Sequence, residues 1–159
     1  VLRVSLPERD VRTFRPPKGV WGVLAAPPCD QFSLVRNGHD SERDFVRGME
    51  TVNACLRIIG QVKPRWWALE NPVGMLSRFL GTPRDVWHPC DFGDPWTKRT
   101  AIWGDYEIPE RGPFVEPLGG GPFCKKCDPR GKKRSWCDVQ AHRAVTPAGF
   151  AHAFFRANP

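Results

Sequence analysis

No apolar run in this 159-residue chain approaches the roughly 20 residues that a membrane-crossing helix needs, so none is expected. The N-terminus, VLRVSLPERD, lacks the basic start, long apolar middle and small-residue cleavage site of a secretory signal. It also lacks a methionine, which makes a start inside a longer gene product the expectation. There is no internal repeat, so a solenoid or array is not expected. Without a secretory signal, the six cysteines do not read as a disulfide framework. Three of them crowd near the C-terminus, where reduced thiols or a metal site in a cytoplasmic protein are the expectation.

What is present is a globular composition, 40% apolar and 26% charged, of a length that favours one core. The formal charge is +7 and the isoelectric point about 9.4, a modest argument for a polyanionic partner, nucleic acid first. Ordinary solubility charge explains the same number, so the balance alone decides little.

The apolar run VWGVLAA (20–26) ends in Pro27-Pro28 and reads as a buried strand. A helix is predicted from Ser41 or Glu42 to Val62, where Phe45, Met49, Val52, Leu56 and Ile59 form one apolar stripe before Pro64. RWWALE (65–70) reads as a second buried strand, VGMLSRFLG as a short helix, and RDVWHPCDFG and KRTAIWGDY as two further strands. Strand, helix and strand in that order predict a parallel pair with a right-handed crossover, in an open α/β sheet with helices on both faces. Residues 109–122 are rich in Gly and Pro and read as a linker or surface excursion. In the closing TPAGFAHAFFRANP, Thr146 is the expected cap, Pro147 fits the first turn, and Phe150, Phe154 and Phe155 supply an apolar face.

In an open parallel sheet, ligands collect at the carboxyl ends of the strands. Cys29 lies just past the end of the first strand and Glu70 at the end of the second. If the two strands are neighbours, about 4.8 Å apart, thiol and carboxylate face one pocket. Pro27 and Pro28 stiffen the turn that carries Cys29. Arg36, Lys98 and Arg99 are candidate cations to favour its thiolate, the competent nucleophile. A buried structural thiol is the common fate of an unoxidised cysteine, and a surface carboxylate beside Arg65 the plain reading of Glu70. Asn71-Pro72 by itself reads as a strand-ending turn.

PPCDQFS (27–33), then ENP (70–72), then CDFGDPWTKRTAIWG (90–104) resemble, in order, three motifs of the DNA cytosine-5 methyltransferases. Similarity is closest to short phage and prophage members, which end in a segment like RAVTPAGFAHAFFRANP, and it spans the chain except about 110–140. The resemblance implies S-adenosylmethionine as methyl donor, DNA as substrate and a Rossmann-like methyltransferase fold. It also implies the cytoplasm of a bacterium or phage-infected cell. By the same resemblance, Cys29 adds to C6 of a flipped cytosine, and Glu70 bonds N3 and the exocyclic amine. Asn71 fixes the loop, Ser33 lies near the DNA backbone, and Lys98 and Arg99 hold phosphate or the flipped base. Asp10 contacts the adenine of the cofactor, and Pro28 lines it.

The chain departs from the family in its cofactor half. The first twenty residues hold one glycine, Gly19, and no glycine-rich turn; VLRVSLPERDV resembles instead the family's second strand and the segment after it. Ser5 stands where short relatives carry an acid for the ribose, and a hydroxyl makes fewer and weaker bonds than a carboxylate. Lys98 and Thr100 stand where larger relatives carry two arginines, and lysine lacks the planar fork. The expected fold is therefore an α/β, Rossmann-like methyltransferase core without its first strand and glycine loop. The expected regions are a core at 1–108, a Gly/Pro linker with a small irregular basic insertion at 109–143, and a helix returning to the core at 144–159.

The insertion carries Cys124, Cys127, Cys137 and His142, four soft ligands that could bind zinc around the basic loop DPRGKKRSW and hold it against phosphate. Incidental thiols on a surface loop are the alternative. Two other functions stay open: a non-catalytic DNA-binding remnant using this basic segment, and a methyltransferase of exocyclic amines, whose chemistry needs no cysteine. DNA is the expected partner, no membrane is, and a monomer is expected.

Overall fold

The computed structural model describes residues 1–34, 42–118 and 145–159. Arg36 and the four Cys/His candidates Cys124, Cys127, Cys137 and His142 lie outside the described residues. The protein is mixed α/β. Four strands, β1 (Gly22–Ala25), β2 (Trp66–Pro72), β3 (Asp85–Trp87) and β4 (Thr100–Asp105), form a mixed sheet in the order β1-β2-β4-β3. The helices are α1 (Phe45–Val62), α2 (Ser77–Leu80) and α3 (Ala148–Ala157), with a 3-10 turn at Pro89–Phe92. Among the described residues no helix is long and apolar enough to cross a membrane.

β1 and β2 are parallel neighbours, with Gly22 opposite Trp66 and Ala25 opposite Leu69, as the strand–helix–strand order predicts. The crossover is α1. It starts at Phe45, not Ser41 or Glu42, because the Asp44 carboxylate accepts the Arg47 amide at 2.9 Å and caps the helix there. It ends where Lys63 turns left-handed and its amide returns to the Ile59 carbonyl, just before Pro64. The buried line on α1 runs through Val52, Cys55, Ile58 and Ile59, while Phe45, Met49 and Leu56 are half-buried at its margin.

The chain groups into two compact units. The first comprises Val1–Asp85 and Ala101–Tyr106. Its core joins Ala25, Leu69, Ala101 and Trp103 of the sheet to Val52 and Cys55 of α1, with Phe32 and Leu76 inserted from loops. Each fully buried Phe or Leu of this kind is worth roughly 1.5–3 kcal/mol against an exposed one. Residues 1–21 form turns, not the strand that VLRVSLPERDV resembles. Pro7, Pro16 and Pro17 interrupt the segment, and Arg57 of α1 pins it by its carbonyls, donating to Val11 at 3.1 Å and Phe14 at 3.0 Å. A strand persists only when its amides find a neighbouring ladder.

The second unit comprises Val86–Thr100 with Glu107–Pro159. Its centre is aromatic: Trp87 stacks on Phe150 at 4.0 Å between ring centres, and Phe92 meets Phe150 edge-on at 5.3 Å. Thr146 makes no cap, because α3 begins only at Ala148, after extended Pro147. Asp94 caps it from a distance, its carboxylate accepting the Gly149 amide at 3.1 Å. Residue 149 must be glycine, since a Cβ there would overlap the Phe92 carbonyl oxygen. Phe150 and Phe154 are buried, but Phe155 is 74% exposed, one residue round the helix from Phe154.

Candidate functional site

Ala25 and Leu69 form the last registered pair of the parallel ladder. Beyond them β1 enters Pro27-Pro28, which have no amide hydrogens to continue it, whereas β2 runs on through Glu70 and Asn71 to Pro72. A side chain takes over where the ladder stops. Asn71 is fully buried, and its Nδ2 donates to the Pro27 carbonyl at 3.0 Å. That bond ties the strand carrying Glu70 to the turn carrying Cys29. Its direction fixes the amide, since the reverse orientation would set two oxygens together. Asn71 Oδ1 is buried with no hydrogen-bond partner among the described residues.

The turn itself is compact. The Cys29 carbonyl accepts the amides of Phe32 at 3.0 Å and Ser33 at 2.8 Å. Phe32 is completely buried, in contact with the rings of Phe45 and Phe79, and so anchors the turn to the core. Its carbonyl accepts the Met75 amide at 2.8 Å, and Ser33 bridges Gly74 in the segment after β2. On the opposite side Gly48 of α1 lies against Gln31 and Phe32, where a Cβ would be within 2.9 Å of both side chains. Cys29 and Glu70 are both half-buried at this end of the pair. Glu70 sits within β2, not at its end, flanked by fully buried Leu69 and Asn71.

The parallel pair thus places Cys29 and Ser33 on the turn after β1 and Glu70 and Asn71 in β2, the two segments joined by the Asn71–Pro27 bond, with the exposed Pro28 beside Cys29. Lys98, half-buried, and Arg99, exposed, belong to the second unit, on the chain that enters β4; the Lys98 carbonyl accepts from the Thr100 hydroxyl at 3.0 Å. The other described cysteines, Cys55 and Cys90, are buried, and that burial pushes both thiols up from their ordinary range. Among the described residues no group of His, Cys, Asp and Glu could hold a metal ion.

Asp10, which the resemblance assigns to the adenine of the cofactor, is engaged within its own turn. Both oxygens of Asp10 are taken by Arg12, at 3.0 Å from Nε and 2.6 Å from Nη2, and Oδ1 accepts the Arg12 amide as well. These bonds hold the Asp10 carboxyl below the usual carboxylate range and raise Arg12 in turn. Arg12 also reaches Glu50 of α1 at 3.6 Å. The adjoining open groove, about 440 Å³, is lined by Arg12, Glu50, Asn53, Ala54 and Arg57, with both arginines already engaged. Ser5 offers a hydroxyl for the ribose and residues 1–21 one glycine, so no glycine-rich turn approaches a ligand here.

Three supports of the site have no signature in the sequence. Arg43 donates to the main-chain carbonyls of Gln31 and Ser33, Gly48 allows a close approach of α1, and Phe32 reads as an ordinary loop aromatic. The polar residue closest to the resemblance, Asn71, is also the one whose loss is easiest to measure. Replacing Asn71 with alanine strands the buried Pro27 carbonyl and is expected to cost about 1–3 kcal/mol. Urea unfolding measures it, and an unchanged midpoint would show that the bond holds nothing. No model of a known family matches the chain, and none of the curated proteins matches it.

Proposed function

We propose that this chain carries the base-binding and nucleophile half of a DNA cytosine-5 methyltransferase, on a Rossmann-like sheet. The observation that carries the reading is the Asn71–Pro27 hydrogen bond at the carboxyl end of parallel β1 and β2, which ties the Cys29 turn to the strand of Glu70. A cytosine extruded from DNA presents C6 to Cys29 and N3 with its exocyclic amine to Glu70. The thiolate forms the S–C6 bond, and the C5=C6 pair moves to C5. C5 then takes a proton from water, and loss of that proton reverses the addition. Glu70 offsets charge on the ring by bonding N3 as the pair moves.

This addition needs only the protein, the base and water, so it is tested without a methyl donor. Replacing C5 by nitrogen, as in 5-azacytosine, makes C6 more electrophilic and gives the displaced pair a nitrogen to protonate. The full chain, incubated with single-stranded DNA carrying that base, is expected to form a covalent adduct visible in the intact mass.

Within residues 1–21, Asp10 is bonded to Arg12 and there is one glycine, so this stretch alone offers S-adenosylmethionine few contacts. Titration of the chain with S-adenosylmethionine in a calorimeter is expected to give no saturable heat up to several hundred micromolar, about 5 kcal/mol of binding free energy. Micromolar binding would contradict that. The same Asp10–Arg12 pair favours a second reading, a DNA-binding remnant without catalysis, and DNA binding with no adduct would select it. Zinc on Cys124, Cys127, Cys137 and His142 would belong to either.

A further inference from the structure

Besides its own amides and its ties to β2 and the core, the Cys29 turn is bonded by the guanidinium of Arg43. Arg43 donates from Nη1 to the Gln31 carbonyl at 2.8 Å and from Nη2 to the Ser33 carbonyl at 3.0 Å, and both bonds are partly buried. The next residue adds a third tie, the Asp44 amide to Gln31 Oε1 at 2.9 Å. We propose that Arg43 is the positioning residue of this turn: it binds two carbonyl oxygens of the turn that carries Cys29, brings a positive charge to that backbone, and so sets how readily Cys29 ionises. This role rests on the turn alone and goes beyond the methyltransferase reading.

Dipoles and charge set the effect. Within the turn, the amides of Phe32 and Ser33 point to the Cys29 carbonyl, and the carbonyls of Gln31 and Ser33 point to Arg43. A thiolate is favoured by nearby cations and N–H groups and disfavoured by carbonyl oxygens. Around the turn stand Asp30, whose carboxylate accepts from Gln31 Nε2 at 2.9 Å, Asp44, bonded to the Arg47 amide, and Glu70 on β2. Among the described residues these carboxylates oppose a negative charge at Cys29, and Arg43 is a cation bonded to the turn's own backbone. The planar fork suits two acceptors two residues apart, which a lysine cannot span with both bonds.

The test is iodoacetamide labelling of the full chain, read by peptide mass spectrometry with no DNA present, so its outcome is separate from that of the adduct experiment. The readout is the Cys29 labelling rate at pH 7 divided by that at pH 9.5, about a unit above the ordinary thiol value; the ratio separates ionisation from access. Arg43→Gln is expected to lower this ratio about three- to tenfold, and Arg43→Lys about two- to threefold. Slow labelling of buried Cys55 reports that each variant is folded. If Arg43→Gln exposes Cys55, Arg43→Lys decides alone. An unchanged ratio in the folded variant, whatever happens to the absolute rates, means Arg43 only braces the loop and overturns the proposal.

Discussion

Cys29→Ser is expected to remove the covalent adduct with 5-azacytosine DNA, lowering its rate of formation roughly a thousandfold or more. The exchange puts oxygen in place of sulfur and changes little else. The turn is held by main-chain bonds from Phe32 and Ser33 to the Cys29 carbonyl, by buried Phe32 and by the bridge from Ser33 to Gly74. None of these passes through the side chain of residue 29, so the fold should survive the substitution. What is lost is the sulfur nucleophile: a thiol is a far stronger acid than an alcohol, and an alcohol stays protonated at neutral pH and attacks a ring carbon poorly. An adduct that persists in Cys29→Ser would place the nucleophile elsewhere. Cys55 and Cys90 are poor substitutes, since both are buried and burial disfavours their thiolates.

Glu70→Gln is expected to slow adduct formation by about 10²- to 10⁴-fold, the usual range for a positioned proton donor or acceptor. Glutamine keeps the length and can still bond the exocyclic amine through its oxygen. It cannot deliver a proton to N3 as the ring gains electrons from sulfur. The position supports a rigid group: Glu70 lies inside β2 between buried Leu69 and Asn71, whose neighbours fix the backbone on both sides. Binding of the same oligonucleotide, followed by fluorescence anisotropy, is expected to change only a few-fold, because phosphate contacts dominate affinity. A variant that binds and forms adduct at the wild-type rate would reduce Glu70 to a strand residue with no part in the chemistry.

Much of this arrangement is legible in the sequence because it depends on periodicity and on proline. The parallel pair follows from two apolar runs flanking an amphipathic helix, and the ends of those runs place Cys29 and Glu70 at one end of the sheet. What the sequence hides is tertiary. The cap of α3 comes from Asp94, 55 positions upstream, which makes Thr146 next door the natural but mistaken choice. The first residues read as a strand by resemblance, yet a strand needs a ladder, and Arg57 instead fastens them to α1 as turns. Asp10 reads as available for a ligand because its partner, Arg12, is a surface residue with many alternatives in an unfolded chain. Arg43 gives no signal at all, since its work is on two main-chain carbonyls.

The central claim is that Cys29 and Glu70 serve one cytosine at the carboxyl end of β1 and β2. It is tested most directly by digesting the adduct of the full chain with 5-azacytosine DNA and locating the modified peptide by mass. The account predicts a single nucleotide-bearing peptide, containing Cys29, formed without methyl donor and strongly reduced in Glu70→Gln. A modified peptide from any other cysteine, or wild-type yield in the absence of the Glu70 carboxylate, would contradict it.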